Sequence, residues 1–263
     1  MVKLMSNKTK ITVLGCGGSG GVPYAGNVWG KCDPNNLKNH RLRPSVLVQK
    51  GDTNIVIDTG PDFRQQMNRA NLQGLITAVL YTHAHVDHVM GMDDLRAFFV
   101  RNGRTPVPVY ATLQTFQRIK EFFHYAFVME HPMYPPIVQE NLLPEILKIG
   151  GLEFTSFDQI HGDLVTKGFR IGDFAYCTDV NDLTIESLNK LTGIKTWIVG
   201  AFYSPEGQTN HAGINKITEW VEFLKPEMTY LTHLTSAADY DTMCRELPPH
   251  IRPAYDGLEL FIE

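Results

Sequence analysis

"LYTHAHVDHVMG", residues 80–91, sets His83, His85 and His88 around Asp87 within six positions of a chain that has ten histidines in all. Apolar packing gives no reason for such a cluster, because a buried imidazole carries two ring nitrogens that must each find a partner. A shared cation does give one. Imidazole nitrogen and carboxylate oxygen are donors that borderline ions such as zinc and manganese accept together. The run "ITAVLYT" (76–82) reads as a strand, and "GMDDLRAFF" (91–99) as a turn followed by a helix start. The cluster is therefore expected in a loop at the C-terminal end of a strand, a usual place for sites in α/β sheets. Alternation aims His83 and His85 at one cation, while Asp87 and His88 are offset to face a second.

Four ligands in one loop cannot complete two sites, so other segments must contribute. Three places follow strand-like runs: His161 in "LEFTSFDQIHGD", Asp179 in "FAYCTDV" and His233 in "MTYLTH". An isolated histidine is more often structural than a ligand. Repeated placement at strand ends changes that reading, because strand ends can converge on one edge of a fold.

Further β-branched runs lie at 10–15, 45–49, 54–58, 107–111, 168–178, 196–201 and 258–262, and helical patterns at 62–72, 112–123, 214–224 and 237–247. Early strands follow one another closely and helices interleave later, which argues for an α/β chain with more than one sheet, or a mixed sheet. "MEHPMYPPIVQENLLP" (129–144), with four prolines, reads as a surface excursion. No repeat, low-complexity tract or linker divides the chain, so a single domain over 1–263 is expected.

Composition bounds the function. At 43% apolar and 20% charged residues the chain is ordinary for a globular protein. A net charge of −4 with no Lys/Arg run offers no electrostatic footprint for nucleic acid. No apolar run approaches the roughly 18 residues of a membrane helix. The polar start "MVKLMSNKTK" does not read as a signal peptide. Cys16, Cys32, Cys177 and Cys244 are scattered without a CxxC pair, as reduced thiols in a cytoplasm would be.

The residues "THAHVDH", "IHGD", "CTDV" and "LTH", with "IDTGPD" upstream, resemble the motifs of the metallo-β-lactamase superfamily. The resemblance spans roughly residues 10 to 240 and implies an αββα sandwich with two metals at the sheet edge. It implies that His83, His85 and His161 hold the first metal, that Asp87, His88 and His233 hold the second, and that Asp179 bridges them. Asp58 would orient the ligand loop, a supporting role that metal sites generally need. The opening "LGCGGSGGVP", the "RLRPS" at 41–45 and the "NH" at 210–211 are most similar to the phosphoribosyl 1,2-cyclic phosphate phosphodiesterases of the PhnP type. That resemblance implies a small cyclic or diester phosphate as substrate; from the composition above no nucleic acid or membrane partner is expected, and a homodimer is admitted. His211 then lies beside the metals without ligating them and serves as general acid, while Asp87 is both ligand and catalytic residue. Two cations sharing a water-derived hydroxide would supply the nucleophile at phosphorus.

The chain also departs from the family. PhnP-type relatives hold a third, structural zinc through cysteines after the glycine-rich start and a histidine three residues past the final metal histidine. Here "VPYAGNVWGKCDPNN" (22–36) retains only Cys32, and Ser236 stands at the histidine position. Two divalent ions per chain, zinc or manganese, are therefore expected, with the loop held by packing at Tyr24, Trp29 and Pro34.

Other readings compete. "GGSGG" (17–21) matches G-x-S-x-G with Ser19 as nucleophile, but that elbow needs an immediate helix and "VPYAGN" follows instead. Arg43, Arg64 and Arg96 read as salt-bridged or solvated rather than as phosphate ligands. His124, His131 and His250 read as surface residues, and the pairs Phe98/Phe99 and Phe122/Phe123 as helix core. Keeping the metals and changing the electrophile gives a hydrolase of a thioester, lactone or other carbonyl. A non-hydrolytic alternative is a di-iron redox protein or a cofactor-biosynthesis binding module similar to PqqB.

Overall fold

The computed structural model describes residues 8–262, so most of the polar start lies outside the described residues. Among the described residues fourteen strands form two seven-stranded sheets. The first sheet has β1 (Thr9–Gly15), β2 (Ser45–Lys50), β3 (Thr53–Ile57), β4 (Ala78–Leu80), β5 (Val107–Ala111) and β6 (Val138–Leu142) in sequence order, with β14 (Glu259–Ile262) beside β1. The second runs from β7 (Ile146–Ile149) through β8 (Leu152–His161), β9 (Leu164–Ile171), β10 (Phe174–Cys177), β11 (Thr196–Gly200) and β12 (Met228–Thr232) to β13 (Ile251–Pro253). Each sheet is part antiparallel and part parallel. Pairing is antiparallel from β14 to β3 and parallel from β3 to β6. In the second sheet it is antiparallel from β7 to β10 and parallel from β10 to β13.

The strands at the centre read as unbroken apolar runs because both of their faces are buried. In β3, Ile55 and Ile57 enter a core shared with Phe154, Phe169 and Tyr176 of the opposite sheet. Val56, between them, faces the other way, into a cluster with helix residues Phe63, Leu95, Phe99 and Phe116. A slip of one residue would exchange these two environments. On the second sheet Tyr176 and Ile198 face the first sheet, and Cys177, Trp197 and Val199 pack under helices with Ile217, Trp220 and Met243. The layers are therefore helix, sheet, sheet, helix: the expected αββα sandwich.

The helices on the first sheet are α1 (Phe63–Arg69), the short α2 (Val86–Val89), α3 (Leu95–Arg101) and α4 (Leu113–Phe127). On the second they are α5 (Ile185–Leu191), α6 (Ile214–Leu224) and α7 (Tyr240–Glu246). In α6 the buried set Ile217, Trp220, Val221 and Leu224 follows helical spacing, and Lys225 ends the helix in the left-handed region. In α4 the Thr112 hydroxyl caps the first turn by accepting from Thr115 N, and Thr115, Phe116, Ile119, Phe123 and Ala126 form the inner face. Wholly buried Phe116 and Ile119 contribute about 1.5–3 kcal/mol each to holding that helix down. Among the described residues no helix is long and apolar enough to cross a membrane.

Three strands go beyond the sequence reading. Residues 138–142, expected in a surface excursion, form β6, a sheet edge whose residues are mostly exposed and so show no apolar run. The prolines at 132, 135 and 136 all precede it and remove no ladder donor. The short edge strands β7 and β13 also carried too little pattern to be seen.

Candidate metal centre

Five loops at one edge of the sandwich supply the polar cluster. Asp58 follows β3, His83 to His88 follow β4, His161 ends β8, Asp179 follows β10, and His233 follows β12. Asp58, Asp179 and His233 have φ of 63°, 49° and 59°. Left-handed backbone at residues with side chains costs on the order of 1–3 kcal/mol. Three such residues at one site mark a turn geometry held by its surroundings. Glycine is required close by: a Cβ on Gly60 would stand 2.1 Å from the Asp87 carbonyl oxygen. The "IDTG" loop and the ligand helix α2 can touch only because none is there.

Ligand atoms of His83, His85, His161 and Asp179 all lie within 4.8 Å of one another, and so do those of Asp87, His88 and His233. Asp179 faces both sets. Its Oδ1 is 3.5 Å from His161 Nε2 and 3.4 Å from His233 Nε2, and its Oδ2 is 3.0 Å from His88 Nε2. The His88 contact is close enough for a hydrogen bond but misaligned for one, and His83 Nε2 and His88 Nε2 remain buried without a partner. The opposite ring nitrogens are occupied. His88 Nδ1 donates to Asp58 Oδ2 at 2.7 Å, His161 Nδ1 donates to the Asn210 carbonyl at 2.6 Å, and His83 Nδ1 lies 2.9 Å from Thr82 Oγ1. Rings anchored at Nδ1 with Nε2 turned inward toward carboxylates have the outer support that metal-ligating histidines normally show. This donor set fits divalent cations.

Electrostatics agree. Burial alone would raise the carboxyl of Asp179, yet neighbouring His233 and His88 hold it well below the usual range. Asp87 is likewise held low against its burial, chiefly by His88 and His233. Burial, followed by His88, pushes His83 well below the ordinary imidazole range, and burial also lowers His85. Burial opposes protonation of His88 and His233 too, but Asp179 and the other nearby carboxylates outweigh it and raise both.

His211 stacks on His233 with ring centroids 4.6 Å apart and meets His161 edge-on at 4.9 Å. One of its ring nitrogens lies within 4.8 Å of an Asp179 carboxylate oxygen and a His233 ring nitrogen, so it borders the second set. Burial, then the charge on His233, holds it down to about 4. His211 lines two cavities. One, about 430 Å³, includes Ser19, Tyr24 and Phe202; the other, about 330 Å³, includes His85, His161, Asp179 and Arg118. A separate concavity, lined by Lys10, Arg69 and Asp256 among others, includes none of the clustered histidines.

Most other sequence readings find their places. Ser19 is exposed on a loop with no helix after it, so no nucleophile elbow forms. Arg43 pairs with Asp62 and Arg96 with Asp93, while Arg64 is exposed on α1. His124 is exposed and paired with Glu130. Phe98, Phe99 and Phe123 are core, but Phe122 is not: it points away from the inner face of α4 and lines the cavity beside His85. The loop around Cys32 is tied to residues 235–240 by polar contacts. Arg41, wholly buried, reaches Cys32 Sγ, Asn39 and the Thr235 carbonyl, and Asn39 donates to Asp239 at 2.7 Å. Ring packing is present as well, between Trp29 and His40. Arg118, Phe122 and Tyr24 were missed as cavity residues. The usable signal was helical spacing, which sets Arg118 and Phe122 four apart on one exposed face of α4.

Comparison with known proteins identifies the family. The family described as "Beta-lactamase superfamily domain" matches residues 53–234, from β3 through the loop that carries His233. A solved diphosphatase from the PhnP family is 32% identical, with 97% of each chain covered and a TM-score of 0.87. Zn(2+)-bound PqqB from Methylobacterium extorquens shares the fold at 21% identity, a TM-score of 0.72 and coverage of 95% of this chain and 99% of the other. An octanoyltransferase of Porphyromonas gingivalis (strain ATCC BAA-308 / W83) is 31% identical over 95% of this chain. The chain spans about half the length of that curated relative, 51%. With its sandwich, its strand-end ligands and these matches, the chain belongs to the metallo-β-lactamase superfamily, and its likeness within it runs to the PhnP family.

Proposed function

We propose that the chain is a dinuclear-metal phosphodiesterase acting on small cyclic or diester phosphates such as 5-phosphoribosyl 1,2-cyclic phosphate. The observation that carries this reading is Asp179, which stands between the sets: its Oδ1 lies near His161 of the first and His233 of the second, and its Oδ2 near His88. Zinc or manganese ions held there would acidify water and offset the negative charge of a phosphodiester. The chain's own residues do the rest. Asp58, Thr82 and the Asn210 carbonyl fix the ligand rings. The loop at Gly18–Gly20 and Tyr24 walls one side of the cleft. His211, lining both cavities, is placed to give a proton to a departing alkoxide, and an anionic diester beside the ring favours its protonated form. The diphosphatase name of the PhnP-family relative extends the class to phosphoanhydrides, because substitution at phosphorus is common to both.

A second reading is hydrolysis of an acyl thioester, favoured by the likeness to a protein named octanoyltransferase. Only about half of that protein has a counterpart here, which leaves room for the named activity in its other half. Both readings meet one experiment. Metal-loaded protein is assayed on 5-phosphoribosyl 1,2-cyclic phosphate, cyclic nucleotides, bis-p-nitrophenyl phosphate, a diphosphate ester and an octanoyl thioester. Metal-dependent turnover of a phosphate substrate is expected; turnover of the thioester alone would replace the first reading with the second.

A further inference from the structure

We infer that Arg118 recognises a second phosphate group on the substrate, a terminal monoester distant from the diester that reacts. This rests on the phosphodiesterase reading and concerns its specificity. Arg118 stands where two cavities meet. It lines the inner one, about 330 Å³, with His85, His161 and Asp179, and the adjoining outer one, about 680 Å³, with Gln114 and Asp163. Among the described residues that line these two cavities and the one at Tyr24, it is the one lysine or arginine. A phosphate drawn to the metal ligands needs no guanidinium. One that extends from them toward α4 meets only this cation. Asp163 in the outer cavity repels an anion, which places the group in the inner cavity, on the His85 side of Arg118.

The side chain is free to do this. Its partner is Glu121, one turn along the same helix, and both side chains are more than half exposed. Such a pair is worth about 0–1 kcal/mol, so an incoming phosphate can displace the carboxylate. The guanidinium also lies over the Phe122 ring, 4.9 Å from its centroid. A guanidinium held over a ring face is braced there while its N–H donors stay available to phosphate oxygens. The helix beneath is immobilised by Phe116 and Ile119. Arg43 and Arg96, by contrast, are paired with Asp62 and Asp93, and neither lines a cavity beside the histidines.

The test compares a ribose 1,2-cyclic phosphate bearing a 5-phosphate with the same compound lacking it, using metal-loaded protein and reading the ratio of the two kcat/KM values. Arg118→Ala is expected to lower that ratio by about 10–100-fold, the scale of one or two charge-assisted hydrogen bonds, mainly through KM. Arg118→Lys should recover part of it, since a point charge remains without the fork. Glu121→Gln should raise the ratio by removing the competing carboxylate, and Arg64→Ala, remote on α1, should leave it unchanged. An unaltered ratio in Arg118→Ala, with both cyclic diesters still hydrolysed, overturns the inference alone. Failure of the wild-type protein to hydrolyse either compound or bis-p-nitrophenyl phosphate overturns the phosphodiesterase reading and the inference with it.

Discussion

Replacing Asp58 by asparagine should weaken metal binding at both halves of the centre, although Asp58 touches neither ion position. Asp58 Oδ2 accepts from His88 Nδ1 at 2.7 Å and from the Thr82 hydroxyl at 2.8 Å, and Oδ1 accepts from Thr82 N at 2.8 Å. Having given its proton to Asp58, the Thr82 hydroxyl can only accept from His83 Nδ1, 2.9 Å away. One carboxylate therefore fixes His88 directly and His83 through a single relay. Asparagine keeps the shape but offers one acceptor oxygen and one donor amide, so in either orientation an amide faces a donor. The loss of one charge-assisted bond is worth about 1.5–3 kcal/mol, or roughly 10–100-fold in affinity at 1.4 kcal/mol per tenfold. Competition against a chromophoric chelator, with metal content per chain, measures it. Affinities within threefold of the wild type at both sites would refute the relay; a loss confined to one site would refute its Thr82 step.

Asp179→Asn should lower occupancy at both sites, whereas His88→Ala should mainly empty one; two fully occupied sites in Asp179→Asn, by metal analysis, would remove its bridging role. His211→Ala should keep both ions and lose about 10²–10⁴-fold in turnover, less for p-nitrophenolate than for alkoxide leaving groups. An equal loss for both leaving groups contradicts proton donation. Asp256, buried against the backbone N–H groups of Cys16 and Leu42, is pushed up to about 7, chiefly by burial. An unfolded aspartate titrates near 3.9, so between about pH 4 and 7 the folded chain holds a proton that the unfolded chain has released. The resulting stability is complete below about pH 4 and is lost as pH rises to 7, by at most ~4 kcal/mol. Urea unfolding across this range should show a flatter pH dependence in Asp256→Asn than in the wild type.

The clustering of the candidate ligands was legible because metal chemistry restricts residue type and because sheet geometry restricts place. His161, Asp179 and His233 each stand at or just past the end of a strand that apolar runs or alternation signal in the sequence. The walls of the cleft were not legible for the complementary reason. Arg118 and Phe122 are ordinary outward residues of an amphipathic helix, and only the docking of α4 beside the β4 loop makes them face the site. Edge strand β6 was invisible because a strand exposed at an edge needs no apolar alternation, and β13 because three residues are too few to show a period. The support of His83 and His88 was half visible: "IDTG" suggested Asp58, while nothing in the spacing pointed to the Thr82 hydroxyl.

That the two ligand sets draw on both sheets has a kinetic consequence. Asp87 and His233, 146 positions apart, come together only after β12 has joined the second sheet and both sheets have packed. Contacts so distant in sequence form late, after the cost of closing the intervening chain has been met. Ions that need this geometry therefore stabilise a state beyond the rate-limiting barrier. Loading them should leave the refolding rate nearly unchanged and slow the unfolding rate, making the metals a brake on opening rather than a seed for assembly.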